Sequence, residues 1–141
     1  MDTVDRILAI DYGEKRIGIA VSDPLGITAQ GLETVNVLKN KHFLRIREIV
    51  GEKDVKQILV GLPLNMNGTK GQRAVQTEKF AEKLKEYVDV PILMRDERLT
   101  TVEAKKSLIF LGKKTGKNKE KVDELSAVLL LNSYLESISD K

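Results

Sequence analysis

The first apolar run of the chain, Arg6 to Asp11 (RILAID), is followed by a second, Arg16 to Asp23 (RIGIAVSD), across the turn-like residues Tyr12 to Lys15. Both runs are short and rich in isoleucine or valine, so the pattern predicts a hairpin. Ile27 to Val37 alternates loosely through Thr28, Thr34, Val35 and Val37, punctuated by Gly26 and Gly31, which predicts a third strand beside the first two. From Lys41 the period changes. Phe43, Ile46, Ile49 and Val50 recur at helical spacing while Arg45, Arg47 and Glu48 face outward, the pattern of an amphipathic helix.

Gln57 to Leu62 (QILVGL) is continuously apolar, the composition of a buried strand, and Pro63 closes it before a loop through Asn65, Met66, Asn67 and Gly68. A second amphipathic helix is expected over Gly71 to Val88, with Val75, Phe80, Ala81, Leu84 and Val88 on its core side. Ile92 to Met94 predicts a fifth strand that runs into the charged segment Arg95 to Arg98. Thr100 and Glu103 have capping-box spacing for a helix that ends at Gly112. A last helix, Glu120 to about Ser137, is apolar almost all round in its middle and is expected to pack on several sides. Three strands, then helix, strand, helix, strand, helix and helix call for an α/β fold with a mixed five-stranded sheet flanked by helices. The 141 residues suit one domain spanning the whole chain.

Composition narrows the chemistry. Without cysteine, thiolate zinc sites, disulfides and cysteine nucleophiles are excluded. The N-terminal segment carries acids where a secretory signal would be basic, and no apolar stretch approaches the roughly 20 residues of a membrane span, so a cytoplasmic protein is expected. A net charge of +3 is too small to single out nucleic acid by itself. Charge is clustered, however, in a Lys-rich segment with Gly112 and Gly116, where Lys113, Lys114 and Lys117 read either as a phosphate-binding loop or as a solvated linker. The one histidine, His42, opens a predicted surface helix with no serine or acid beside it, and a structural role is expected.

Asp11 ends the first strand, Glu97 follows the fifth, and Asp123 lies in the first turn of the last helix. Singly, each has a plain explanation as a turn former, an arginine partner or a helix N-terminal charge. Together they would repel one another unless a hard divalent cation with oxygen ligands sat between them. Ligands of open α/β sheets gather at the carboxyl ends of strands, where two of these acids fall. Such a cation suits hydrolysis of a phosphodiester. Around the acids, Lys15 and Arg16 at the hairpin, Asn65, Asn67, Thr69 and Lys70 in the loop after the fourth strand, and Arg98 are candidate contacts to a nucleic-acid backbone. A hairpin tip, a turn built on Asn67 and Gly68, and neutralisation of Glu97 are the plainer readings of the same residues.

The segments Ile10 to Gly18 with Ala20 to Asp23, Val60 to Asn65 with Asn67 to Thr69, and Asp96 to Thr101 resemble the motifs of the YqgF family, in the same order and over nearly the whole chain. Its members are described as pre-16S rRNA nucleases or Holliday-junction-resolvase-like proteins. The resemblance implies a ribonuclease H-like fold, catalysis and metal binding by Asp11, Glu97 and Asp123, and magnesium as cofactor, with manganese as a substitute. It implies a nucleic-acid partner, structured RNA ahead of branched DNA, and processing of the 5′ end of pre-16S rRNA. The family often has paired alanines after the last acid where this chain has Ser126 and Ala127, and glutamine where it has Asn132. No dimer surface stands out, so a monomer or weak homodimer is expected. The rival readings are an actin-like ATPase or sugar kinase, for which the chain is too short to form two domains, and a binding module that has lost hydrolysis, for which three gathered acids would be a needless cost.

Overall fold

The computed structural model describes residues 5–100, 106 and 119–139. Its elements are β1 (Arg6–Tyr12), β2 (Arg16–Ser22), β3 (Ala29–Asn36), α1 (Lys41–Glu52), β4 (Val55–Leu62), α2 (Gln72–Leu84), β5 (Ile92–Asp96), a single 3-10 turn (Glu97–Leu99) and α3 (Lys119–Ser139). The strands form one five-stranded sheet in the order β3-β2-β1-β4-β5. β1 to β3 pair antiparallel, whereas β4 and β5 join β1 in parallel, so the expected mixed sheet is present. Consequently the carboxyl ends of β1, β4 and β5 lie along one edge. The hairpin between β1 and β2 is tight enough that a side chain at Gly13 would come within 2.6 Å of the Arg16 carbonyl oxygen.

Strand alternation divides the core between the two faces. Leu8 and Ile10 of β1, Ile17 and Ile19 of β2, and Ile58 and Val60 of β4 meet Phe43, Ile46 and Ile49 of α1 and Phe80 and Leu84 of α2. Ile7, Ala9, Ala20 and Leu59 meet Ala127, Leu130, Leu131 and Leu135 of α3 on the opposite face. This second face is paved with small residues, which lets the helix sit low on the sheet. At Gly18 a Cβ would overlap the Asp123 carbonyl, so the first turn of α3 rests directly on β2. The sheet buries one side of α3, Val128 and Leu129 are half-buried, and Arg95 of β5 reaches Ser133 and Tyr134 of the helix.

Two expectations need correction. Val75 is 41% exposed rather than in the core, because α2 begins at Gln72 and turns Ala74, Thr77, Phe80, Ala81 and Leu84 inward instead. Val88 is buried but lies beyond the end of that helix. His42, at the start of α1, is buried, its ring centroid 4.2 Å from that of Phe43 and 6.4 Å from that of Phe80. Tyr12 completes the stack, 4.5 Å from Phe80. The helix expected from Thr100 to Gly112 and the Lys-rich loop after it lie outside the described residues, apart from Thr100 and Lys106. Among the described residues no helix is long and apolar enough to cross a membrane.

Candidate active site

The alternation that points Ile7 and Ala9 toward α3 points Asp11 the same way, at the carboxyl end of β1 and in register with Gly18. Glu97 reaches the same place from the far side of β4. Immediately after β5 the chain enters the 3-10 turn, and the Asp96 carboxylate accepts the Arg98 backbone N–H at 2.9 Å, capping that turn. Glu97 thereby lies over Gly61 of β4, where a Cβ would come within 2.7 Å of Glu97 Oε1. The Asp11 and Glu97 side chains are hydrogen-bonded to each other, and the Asp11 carboxyl is pushed up to about 8. Desolvation is the largest cause, followed by the charge and hydrogen bond of Glu97, with a smaller contribution from Asp123; the positive charge of Arg73 acts in the opposite sense. At neutral pH a proton therefore holds the two carboxyl groups together.

Asp123 takes a different partner. Its Oδ2 accepts a hydrogen bond from Arg16 Nε at 2.8 Å, an ion pair joining residues 107 positions apart, with both side chains about a quarter to a third exposed. Among the described residues no three acidic or histidine side chains stand close enough to share a cation. The structure thus brings Asp11 and Glu97 into contact and sets Asp123 on the neighbouring wall, because a carboxylate near other acids gains more from a guanidinium than from closer approach.

Three open cavities meet here. The first, about 290 Å³, is lined by Asp11, Glu97, Arg73, Thr100, Ser126, Leu129 and Leu130. The second, about 420 Å³, lies toward Asn65, Met66, Gly71 and Arg98. The third, about 410 Å³, is bounded by the hairpin residues Gly13 to Arg16 with Arg73 and Asp123. Lys15 is exposed at the hairpin tip. The loop after β4 is held by its own polar groups. Asn65 Nδ2 donates to Thr69 Oγ1 at 3.0 Å, and the Thr69 backbone N–H donates to Asn67 Oδ1 at 3.1 Å. Gly68 supplies the positive φ of 85° that the turn requires. Lys70 pairs with Glu78 at 2.8 Å. Arg98 pairs with Asp96 rather than Glu97, at 2.7 Å, and donates to the Met66 carbonyl at 3.2 Å, tying the 3-10 turn to the loop. Lys113, Lys114 and Lys117 lie outside the described residues.

Sequence reasoning missed Arg73, Gly18 and Gly61. A glycine inside an apolar strand signals that another backbone or side chain comes close, and both glycines carried that signal. Arg73 carried none, since an arginine in the first turn of an amphipathic helix reads as part of its solvated face.

As a donor set, Asp11 and Glu97 suit a hard divalent cation. Both offer oxygen, and the cavity beside them is open. Asp123 holds Arg16 through Oδ2, which leaves Oδ1 as the oxygen it could add.

The sheet order and its helices, with acids at the carboxyl ends of parallel strands, define a ribonuclease H-like α/β protein. The solved structure of T. thermophilus RuvC in complex with Holliday junction substrate has the same fold, with a TM-score of 0.57 and 13% identity over 95% of this chain and 96% of that one. A second solved structure of Thermus thermophilus RuvC aligns with a TM-score of 0.54, also at 13% identity, over 94% of this chain and 96% of the other. Residues 5–137 match the family model described as "RuvX: Holliday junction resolvase", and the chain belongs to that family. A relative from Ruminiclostridium cellulolyticum, named "Putative pre-16S rRNA nuclease", is 49% identical over 136 residues, covering 95% of this chain and 96% of the relative. One of the same name from Thermoanaerobacter pseudethanolicus is 48% identical over 138 residues, covering 96% of this chain and 99% of that protein.

Proposed function

We propose that the protein is a one-domain, divalent-metal-dependent nuclease that hydrolyses phosphodiester bonds of structured RNA in the cytoplasm, at the 5′ end of pre-16S rRNA. The observation that carries this reading is the contact of the Asp11 and Glu97 side chains at the carboxyl ends of β1 and β5, facing an open cavity. Two carboxyl groups kept partly desolvated cost stability, and that cost is recovered when a divalent cation takes the place of the proton. Asp11 and Glu97 would hold magnesium, or manganese in its place, with Asp123 beside them. When bound, the cation supplies Lewis acidity to phosphoryl oxygens.

The chain's own residues do the rest. Lys15 and Arg16 at the hairpin, and Asn65 and Arg98 on the other side, line the cavities beside the acids, and with Asn67, Thr69 and Lys70 of the loop after β4 would bind backbone phosphates. Lys113, Lys114 and Lys117 would extend this contact. Gly61 keeps Glu97 against β4, and Gly18 lets α3 bring Asp123 to the rim. The protein would act as a monomer or weak homodimer, and a monomer, with one such site, would cut a single strand.

A second reading, resolution of four-way DNA junctions, is favoured by the description of the family. Direct competition between a precursor-RNA fragment and a four-way junction, with magnesium or with chelator, separates them. Metal-dependent cutting of the RNA is expected. Paired symmetric junction cuts by a stable dimer, with RNA left intact, would replace the first reading by the second.

A further inference from the structure

Arg73 is the second residue of α2, exposed, and among the described residues it alone lines all three cavities at the site. The other arginines nearby each already hold a side chain of the protein, Arg16 that of Asp123, Arg98 that of Asp96 and Arg95 that of Ser133, and offer phosphate only the donors left over. Among the described residues the Arg73 guanidinium has no hydrogen-bond or ion-pair partner, although its charge is felt at the Asp11 carboxyl. An unengaged guanidinium at the meeting point of three grooves, beside an acidic pair, has a shape suited to one class of ligand. Its planar fork of N–H donors matches two oxygens of a phosphate.

We infer that Arg73 grips the phosphate undergoing hydrolysis, at the point where the nucleic-acid strand crosses from the Lys15–Arg16 side to the Asn65 side of the acidic pair. The inference rests on the nuclease reading above and assigns it a catalytic residue. In the reaction a water oxygen forms a bond to phosphorus while the bond to the leaving ester oxygen breaks. The water gives up one proton, and the leaving oxygen gains one. Arg73 neither gives nor takes a proton. It donates N–H bonds to the non-bridging oxygens, whose negative charge must be held near Asp11 and Glu97 as water attacks. Its bonds strengthen as that charge concentrates, so its effect falls on the rate at saturation more than on binding.

The test compares Arg73→Ala and Arg73→Lys with the wild type in single-turnover cleavage of a precursor-RNA fragment, alongside calorimetric titration of magnesium. Arg47→Ala is the control, since Arg47 is an exposed arginine on α1 outside these cavities. The expected result for Arg73→Ala is a fall of about 100-fold in the saturated rate, the usual cost of removing one preorganised donor to a developing oxyanion. Arg73→Lys should recover only part of it, because an ammonium cannot span two oxygens, and guanidinium ion added to Arg73→Ala should restore some rate. Magnesium affinity should be equal or higher in Arg73→Ala, since a cation has been removed from beside the metal ligands. A wild-type saturated rate in Arg73→Ala overturns the inference, as does a fall explained by weaker magnesium binding. A wild-type protein that cuts no nucleic acid with magnesium overturns the nuclease reading and this inference together, whereas the first two results leave that reading standing.

Discussion

Replacing Asp11 by asparagine should stabilise the metal-free protein, and the gain should grow with pH. The Asp11 carboxyl titrates at about 8 in the fold against 3.8 as its ordinary value. Between those values the folded chain binds a proton that the unfolded chain has released, so stability falls as pH rises through that window and levels off outside it. Below pH 4 both chains are protonated at this position and the substitution should change little. From 3.8 to pH 7, at about 1.4 kcal/mol per unit, the ceiling on the gain is about 4 kcal/mol. Sharing of the proton with Glu97 and relaxation of the open cavity reduce this to about 2 kcal/mol, or roughly 5–10 °C in melting temperature for a chain of this size. The assay is thermal unfolding of wild type and Asp11→Asn in chelator at pH 4, 6 and 8. The difference between the two proteins is the readout, so other titrating groups cancel. Adding magnesium at pH 8 should then stabilise the wild type and leave Asp11→Asn nearly unmoved, because binding to the folded state alone raises stability. A variant that melts at or below the wild type at pH 8, or a gap that does not widen from pH 4, would refute the reasoning.

Glu97→Gln and Asp123→Asn should each reduce magnesium-dependent cleavage at least about 100-fold in single-turnover assays while circular dichroism stays unchanged, because both remove an oxygen charge without changing shape. Gly61→Ala should displace the Glu97 carboxylate, whose Oε1 would lie 2.7 Å from the new methyl group. The expected cost is about 1–3 kcal/mol in denaturant unfolding, together with weaker magnesium binding by calorimetry. Neutralising Lys113, Lys114 and Lys117 together should weaken substrate affinity without changing the saturated rate. For every phosphate that these lysines cease to neutralise, the magnitude of the log–log salt slope should drop by roughly 0.7–0.9, and an unchanged slope would make the segment a linker.

Local periodicity was enough to read most of the architecture from the chain. The apolar runs around Ile7 to Ile10, Ile17 to Val21 and Ile58 to Val60 became strands, and the spacing of Phe43, Ile46 and Ile49 became a helix face, because these patterns repeat within a few residues. The positions of Asp11 and Glu97 at strand ends were legible for the same reason. Which acids touch was not. Asp11 meets Glu97 only because β4 lies between β1 and β5 and carries Gly61 where Glu97 must lie. Asp123 meets Arg16 only because Gly18 admits the first turn of α3 against β2. The rings of Phe43 and Phe80 that pack on His42 were not legible, and Val75 passed for a core residue until the start of α2 fixed which side faced the sheet. Arg73 was the least visible of all, since its sequence neighbours describe a solvated helix surface and its importance comes wholly from the three cavities that meet beside it. A residue's own periodicity records whether it is inside or outside; its partners across the sheet depend on strand order, on register and on how closely the layers can approach, and these are set by packing between segments far apart in the chain.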